Sequence, residues 1–362
     1  MKVYWLFLFM SIIGCVVCSM YPRTVKVNNG YEPRGKLYQA LILFGVVIIF
    51  CGLRSGVADT PAYIAEFNNA ATNIGQMDID AIQKDKGYAI LEVLFKQFIS
   101  TDFHAWLFLI TCISGLAIMY TLYKHSIDFG MSFFLYIATT EFTWLMNGMR
   151  QYIAISLLFL SVDLLLEKKM WKYILIVVLL STIHGTAIIM LPIYFIVNWK
   201  PFSGKVLLAT FAIAIIGLNI EQIDFLFDNT QYEGYLGEIM GTAGMNVIRF
   251  LVALVPLTIC FLARKIIQNE NNQLINICVN MDCFNLAIQF AALFVGANYL
   301  GRIAAYFGVY TLLLLPWLIK KCFTAQSSML IKLSCIGFYI VYFYYQMVVT
   351  WNLDYISDII SI

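Results

Sequence analysis

Arg150 and His184 stand at the far ends of two successive apolar runs in this 362-residue chain. The first run opens Asn147-Gly148-Met149-Arg150-Gln151-Tyr152-Ile153-Ala154, and the second closes Ser181-Thr182-Ile183-His184-Gly185. The turn between them, Glu167-Lys168-Lys169-Met170-Trp171-Lys172, can only lie in water. A hairpin of two apolar helices therefore carries both residues to one side of a membrane. Arg54, Arg249 and Arg302 also end apolar runs on that side. Guanidinium groups keep their charge and grip phosphate or carboxylate through paired hydrogen bonds. Four of them at one level suit an anionic group on a lipid. Each alone is also explained by snorkelling to the interface, but charge at a membrane is costly enough that four together point to a site.

The neighbours of these residues fit a site wall. Asn147, Arg150, Gln151 and Ala154 recur at three- and four-residue spacings and share one helical face, as do Asn298, Arg302 and Tyr306. Asn and Gln on such a face also hold membrane helices together, which is the competing reading. In Gly52-Leu53-Arg54-Ser55-Gly56-Val57-Ala58-Asp59-Thr60-Pro61-Ala62-Tyr63, Asp59 is placed to cap a helix with Pro61 just inside it. Its other reading is a carboxylate that meets a sugar hydroxyl. Tyr63 stacks on a sugar or sits in an interfacial aromatic belt. His184 interrupts apolar sequence, either as a hydrogen-bonded structural residue or as a group for proton transfer near neutral pH.

The elements that position these residues are membrane helices. The chain is 61% hydrophobic and 12% charged, with mean hydropathy +0.81. A soluble domain is nearer a quarter charged. The fold class is thus an all-α polytopic membrane protein, with apolar runs for about 10–12 transmembrane helices, and residues 1–362 form one integral membrane domain. Met1–Cys18 reads as a first helix rather than a signal peptide. Lysine and arginine fall on alternate loops, such as Arg23–Lys36, Lys168–Lys172 and Lys320–Lys332, which marks that side as cytoplasmic. The opposite side carries two long acidic loops, 54–104 and 221–245. Amphipathic stretches near Thr60–Ala71 and Tyr88–Ile99 in the first loop are expected to lie along the interface. The acidity excludes nucleic acid as a partner. All nine cysteines lie in or beside apolar runs, so no disulfide framework is expected. No metal-ligand spacing, phosphate-binding loop or nucleophile elbow is present in the sequence.

Gly52-Leu53-Arg54 with Asp59-Thr60 and Tyr63, Arg150-Gln151-x-x-Ala154, Lys168-Lys169-x-x-Lys172-Tyr173, His184-Gly185 before Pro192-x-Tyr194, and Arg302-x-x-x-Tyr306-Phe307 together resemble a known pattern. It is that of the EpsG family of Wzy-like bacterial polysaccharide polymerases. The resemblance implies an enzyme of the bacterial cytoplasmic membrane with its active site facing outward. It implies undecaprenyl-pyrophosphate-linked glycans as substrates, membrane lipid around them, and a chain-length regulator and a flippase of the same pathway as partners. It implies no cofactor and no metal. A hydroxyl of one repeat unit attacks the anomeric carbon of the growing chain, and undecaprenyl pyrophosphate leaves. Arg150, with Arg54, Arg249 or Arg302, is then expected to bind the pyrophosphate, while Asp59 or His184 positions or activates the hydroxyl. Tyr63, Asn147, Gln151, Asn298 and Tyr306 are expected to line the pyrophosphate and glycan sites. A ligase using the same carrier, or a flippase of lipid-linked oligosaccharides, are the alternatives. Glu141 and Asp163 within apolar runs keep the transport reading open, while the absence of a repeat and the clustering of the arginines at one face speak against it.

Overall fold

The computed structural model describes residues 1–27, 30–220 and 244–360, so most of the acidic loop 221–245 lies outside the described residues. It is almost entirely helical. In order, the elements are α1 (Lys2–Met20), β1 (Arg23–Val27), β2 (Gly30–Arg34), α2 (Leu37–Gly52), α3 (Thr60–Asn69), α4 (Lys86–Phe98), α5 (Phe103–His125), α6 (Phe129–Ala138), α7 (Met149–Leu160), α8 (Val162–Leu166), α9 (Met170–Ile183), α10 (Met190–Ile196), α11 (Gly204–Leu218), α12 (Val247–Leu262), α13 (Arg264–Glu270), α14 (Gln273–Ala292), α15 (Ala297–Gly308), α16 (Thr311–Lys321) and α17 (Ala325–Tyr344). The two strands form one antiparallel hairpin that pairs Arg23 with Arg34.

Among the described residues, four helices are long and apolar enough to cross a membrane: α1, α5, α14, and α17 with its π-helical extension to Trp351. The bent pairs α12–α13 (69°) and α15–α16 (48°) bring the number to six if each is one span. The other apolar runs fold as shorter helices of 10–17 residues. The apolar run 131–147 shows why. Thr140 adopts φ 66° and Gly148 φ 67°, so α6 stops, a 3₁₀ turn covers Glu141–Leu145, and α7 begins anew just before Arg150. Only glycine enters that left-handed conformation without cost, and a Cβ on Gly148 would also lie 2.9 Å from the Trp144 ring.

The chain forms two compact units. The first comprises Met1–Ser161, Val178–Gly185 and Ile319–Ile362. Within it α1 packs on α6, α2 on α5, and α5 on α7. At one end of α5 the basic loops meet. Arg34 donates to the Lys124 carbonyl (2.8 Å), Lys320 to the Ile127 carbonyl (3.1 Å), and Lys321 pairs with Glu32 (3.1 Å). Lys332 pairs with Asp128 at 2.5 Å. At the other end lies the loop with Arg54, held by the C-terminal segment. Ser55 N–H donates to the Ile356 carbonyl (2.9 Å), Ile356 N–H to the Gly56 carbonyl (3.1 Å), and Tyr355 hydroxyl to the Phe50 carbonyl (2.8 Å).

The second unit comprises Val162–Val177 and Thr186–Leu318, with α14 packed by α11, α12 and α15. Its polar side chains tie helices through backbone carbonyls. Asn280 donates to Val197 (2.8 Å) and Trp199 (2.7 Å), and Gln273 donates to Leu166 (3.2 Å). Thr311 hydroxyl donates to the fully buried Asp282 (3.1 Å).

Candidate active site

The acidic loop 54–104 folds around two short helices within the first unit. α3 turns Thr60, Tyr63, Ile64 and Phe67 to one face, and α4 does so with Tyr88, Glu92, Phe95 and Lys96; both patterns are amphipathic helix spacings. Phe67, Tyr88, Phe95, Trp106, Leu107, Ile110, Met149 and Ile153 make one buried cluster, which joins α3 and α4 to α5 and α7. Trp106 is its centre. It stacks on Phe67 (6.0 Å, 20°), meets Tyr88 and Phe95 at steeper angles, and donates its indole N–H to the Tyr88 hydroxyl (3.2 Å). Each large side chain buried here contributes roughly 1.5–3 kcal/mol, which suffices to hold a loop of this size in place. Lys96 adds a cap by donating to the Ala70 carbonyl at the end of α3 (2.7 Å).

This frame brings four ionisable groups together. The Arg150 guanidinium pairs with Glu66 of α3 and, at 3.5 Å, with Asp85 ahead of α4. It lies over the rings of Tyr88 (4.6 Å) and Tyr63 (5.7 Å), a favourable setting for a cation. The other Asp85 contacts run to the end of α9. His184 Nδ1 lies 3.3 Å from the same Asp85 oxygen, and Gly185 N–H donates to the second oxygen at 3.3 Å. Arg150 and His184, at the ends of the apolar hairpin, thus share one carboxylate. Asp85 occupies the N-cap position of α4 in a left-handed conformation (φ 55°), which Asp tolerates better than most residues, and makes no capping bond. Burial alone would raise its carboxyl. The His184 hydrogen bond, the charges of His184 and Arg150, and the Gly185 N–H outweigh that and hold it below the ordinary value. Next to them, burial first and then the charge of Glu66 push Glu92 up to about 7.

Close contact between α4 and α9 depends on Gly87. A Cβ there would stand 2.2 Å from Thr182 Oγ1 and 2.9 Å from its backbone carbon. A larger residue there requires Thr182, including its backbone, to shift.

Arg54 sits behind this group and is fully enclosed. Its Nε donates to Thr60 Oγ1 (2.8 Å), and its terminal nitrogens reach the Cys51 carbonyl, Thr111 Oγ1 (3.4 Å) and the Met149 sulfur. It ties the end of α2 to the starts of α3 and α7, with protein atoms in the places expected for a ligand. Asp59 takes the N-cap position of α3 with Pro61 inside the first turn, yet its side chain makes no capping bond. Gln151 is buried on α7, whereas Asn147, half-buried, lies ahead of the left-handed Gly148 and so outside the helical face it was expected to share with Arg150, Gln151 and Ala154. Among the described residues, no three His, Cys, Asp or Glu side chains converge as metal ligands.

A family profile described as the EpsG family matches residues 37–357. The chain belongs to the EpsG family. That family is one of Wzy-like polysaccharide polymerases, so this is a multi-pass membrane protein with a polymerase-like, glycosyltransferase-type function. Searches of the curated proteins and of the solved structures found no match. Of the residues singled out in this EpsG chain, Arg150, His184 and Tyr63 meet in the first unit, with Arg54 and Asp59 on its adjoining loop. Arg249, Arg302 and Tyr306 belong to the second unit, where both arginines are half-buried and the Tyr306 hydroxyl bonds to Thr186 Oγ1 (3.0 Å). The side chain of Asn298 lies outside the described residues.

Sequence reasoning missed Glu66, Asp85 and Tyr88. The signal was present in two spacings. Tyr63 and Glu66 lie three residues apart on α3, and Asp85 and Tyr88 three apart at the start of α4. Each pair offers one carboxylate and one ring to the same arginine.

Proposed function

We propose that this EpsG protein joins undecaprenyl-pyrophosphate-linked oligosaccharide repeat units at the outer face of the bacterial cytoplasmic membrane. The observation that carries the site is the setting of Arg150. It is a partly exposed guanidinium (side chain 20% accessible) held by Glu66 and Asp85 over two tyrosines, one residue group away from His184. A donor pyrophosphate takes over the guanidinium fork that Glu66 and Asp85 hold. Arg150 then neutralises the charge that develops as undecaprenyl pyrophosphate leaves, an electrostatic stabilisation of the transition state. Tyr63 offers a ring to a sugar, and Asp59, half-buried beside it, offers a carboxylate to sugar hydroxyls. His184 accepts the proton of the acceptor hydroxyl. The oxygen forms its bond to the anomeric carbon as the bond from that carbon to pyrophosphate breaks. Arg54 braces the start of α7 and so sets the position of Arg150.

Gene deletion followed by gel analysis of surface glycan tests this reading. The expected product is an acceptor bearing single repeat units. An acceptor with no glycan indicates a ligase, and a precursor trapped inside the cell indicates a flippase. Arg249→Ala, Arg302→Ala and Tyr306→Phe, assayed alongside, measure whether the second unit contributes to polymerisation.

A further inference from the structure

Asp85 faces two demands at once. Its carboxylate is the partner of His184 Nδ1 and of Arg150, through a single oxygen, while Gly185 N–H fixes the other. An ionised carboxylate only accepts hydrogen bonds, so Nδ1 must carry the proton. The free lone pair of a neutral His184 is then on Nε2, and that nitrogen makes no hydrogen bond among the described residues. The charged and titratable groups around Asp85, His184 and Arg150 include Glu66 and Tyr63 from α3 and Tyr88 and Glu92 from α4.

We propose that Asp85 is the positioning residue for His184 as general base, and that Arg150 weakens this pairing until a pyrophosphate claims the arginine. The proposal rests on the reading of Arg150 as the pyrophosphate ligand and adds a link between donor binding and the base. With the donor absent, Arg150 shares the Asp85 oxygen and draws its charge away from His184. When the donor pyrophosphate takes the guanidinium, that oxygen is released from Arg150 and holds His184 more strongly. His184 Nε2 then accepts the proton of the acceptor hydroxyl, the acceptor oxygen bonds to the anomeric carbon, and undecaprenyl pyrophosphate departs with the bonding pair. The base is at full strength only when a donor is in place.

The test uses full-length protein in detergent or vesicles, with inorganic pyrophosphate as the binding probe and lipid-linked repeat units as substrate. Asp85→Asn keeps the size of the side chain and removes its charge. Its polymerisation rate is expected to fall by about 10²–10⁴-fold, the range for losing an oriented base. Its affinity for pyrophosphate is expected to stay equal or rise, because a competitor for Arg150 is gone. Asp85→Glu should recover part of the rate. Wild-type rates in Asp85→Asn overturn the proposal. So does a joint loss of rate and pyrophosphate binding without rescue by Asp85→Glu, since that pattern marks a merely structural residue. Arg150→Ala reports separately on the underlying reading, which fails if that variant still binds pyrophosphate and polymerises normally.

Discussion

At the scale of single residues, the site is a balance of one guanidinium and two carboxylates, with a third carboxylate kept apart. Arg150 needs its fork as well as its charge, because lysine is a point charge that cannot engage a phosphate group bidentately. Arg150→Lys is therefore expected to lower the polymerisation rate by about 10²-fold or more; initial rates on lipid-linked repeat units measure this, and a near-normal rate would mean that charge alone suffices. Glu92 gives a pH signature. A carboxyl whose folded-state value lies above its unfolded one contributes stability below the unfolded value and loses it as pH rises through the folded value. The window runs from 4.5 to about 7, equivalent to about 3 kcal/mol by linkage. The melting temperature of the wild type should fall across that window, and Glu92→Gln should flatten the fall; parallel curves for the two proteins would count against a buried, neutral Glu92. Arg150 and His184 were legible in the sequence because each interrupts apolar sequence. Asp85 was not, because it lies in a loop among other acidic residues, and only the fold of α3 and α4 separates a site carboxylate from solvated ones.

At the scale of elements, the site depends on α4 meeting the end of α9 at Gly87. Gly87→Ala places a methyl group 2.2 Å from Thr182 Oγ1, so it should separate Asp85 from His184 and cut activity at least 10-fold, in the range of losing a positioned proton-transfer partner. Thr182→Ala in the same chain removes the nearest atom and should restore part of the rate; no recovery would place the effect of Gly87 elsewhere. The amphipathic helices of the acidic loop 54–104 were readable from their periodicity, and α3 and α4 begin and end within a few residues of the stretches expected. The break at Gly148 was readable, since the first run of the hairpin opens at Asn147; the break at Thr140 was not. Thr139, Thr140, Glu141 and Thr143 interrupt the apolar sequence there, but polar residues also occur inside helices, and residue type alone does not mark Thr140 as left-handed. The consequence is functional, since the second break sets Arg150 in the first turn of α7 rather than in the middle of a long span.

At the scale of the whole molecule, hydropathy and charge position carried most of what was legible: an all-helical membrane protein whose basic loops gather at one end of α5, away from Arg150. What they could not show was the division of the chain into two interleaved units, because contacts between distant segments are absent from local pattern. The C-terminal segment illustrates this. Residues 355–358 bond to the loop that carries Arg54, some 300 positions earlier. Truncation before Asn352 should loosen that loop, seen as faster proteolysis at Ser55–Asp59 and a lower rate; unchanged proteolysis would remove the clamp from the account. The most direct test of the central claim is polymerisation by purified protein in vesicles supplied with undecaprenyl-pyrophosphate-linked repeat units. The account predicts a ladder of polymer from the wild type and only single repeat units from a folded Arg150→Ala protein. A full ladder from Arg150→Ala would contradict it.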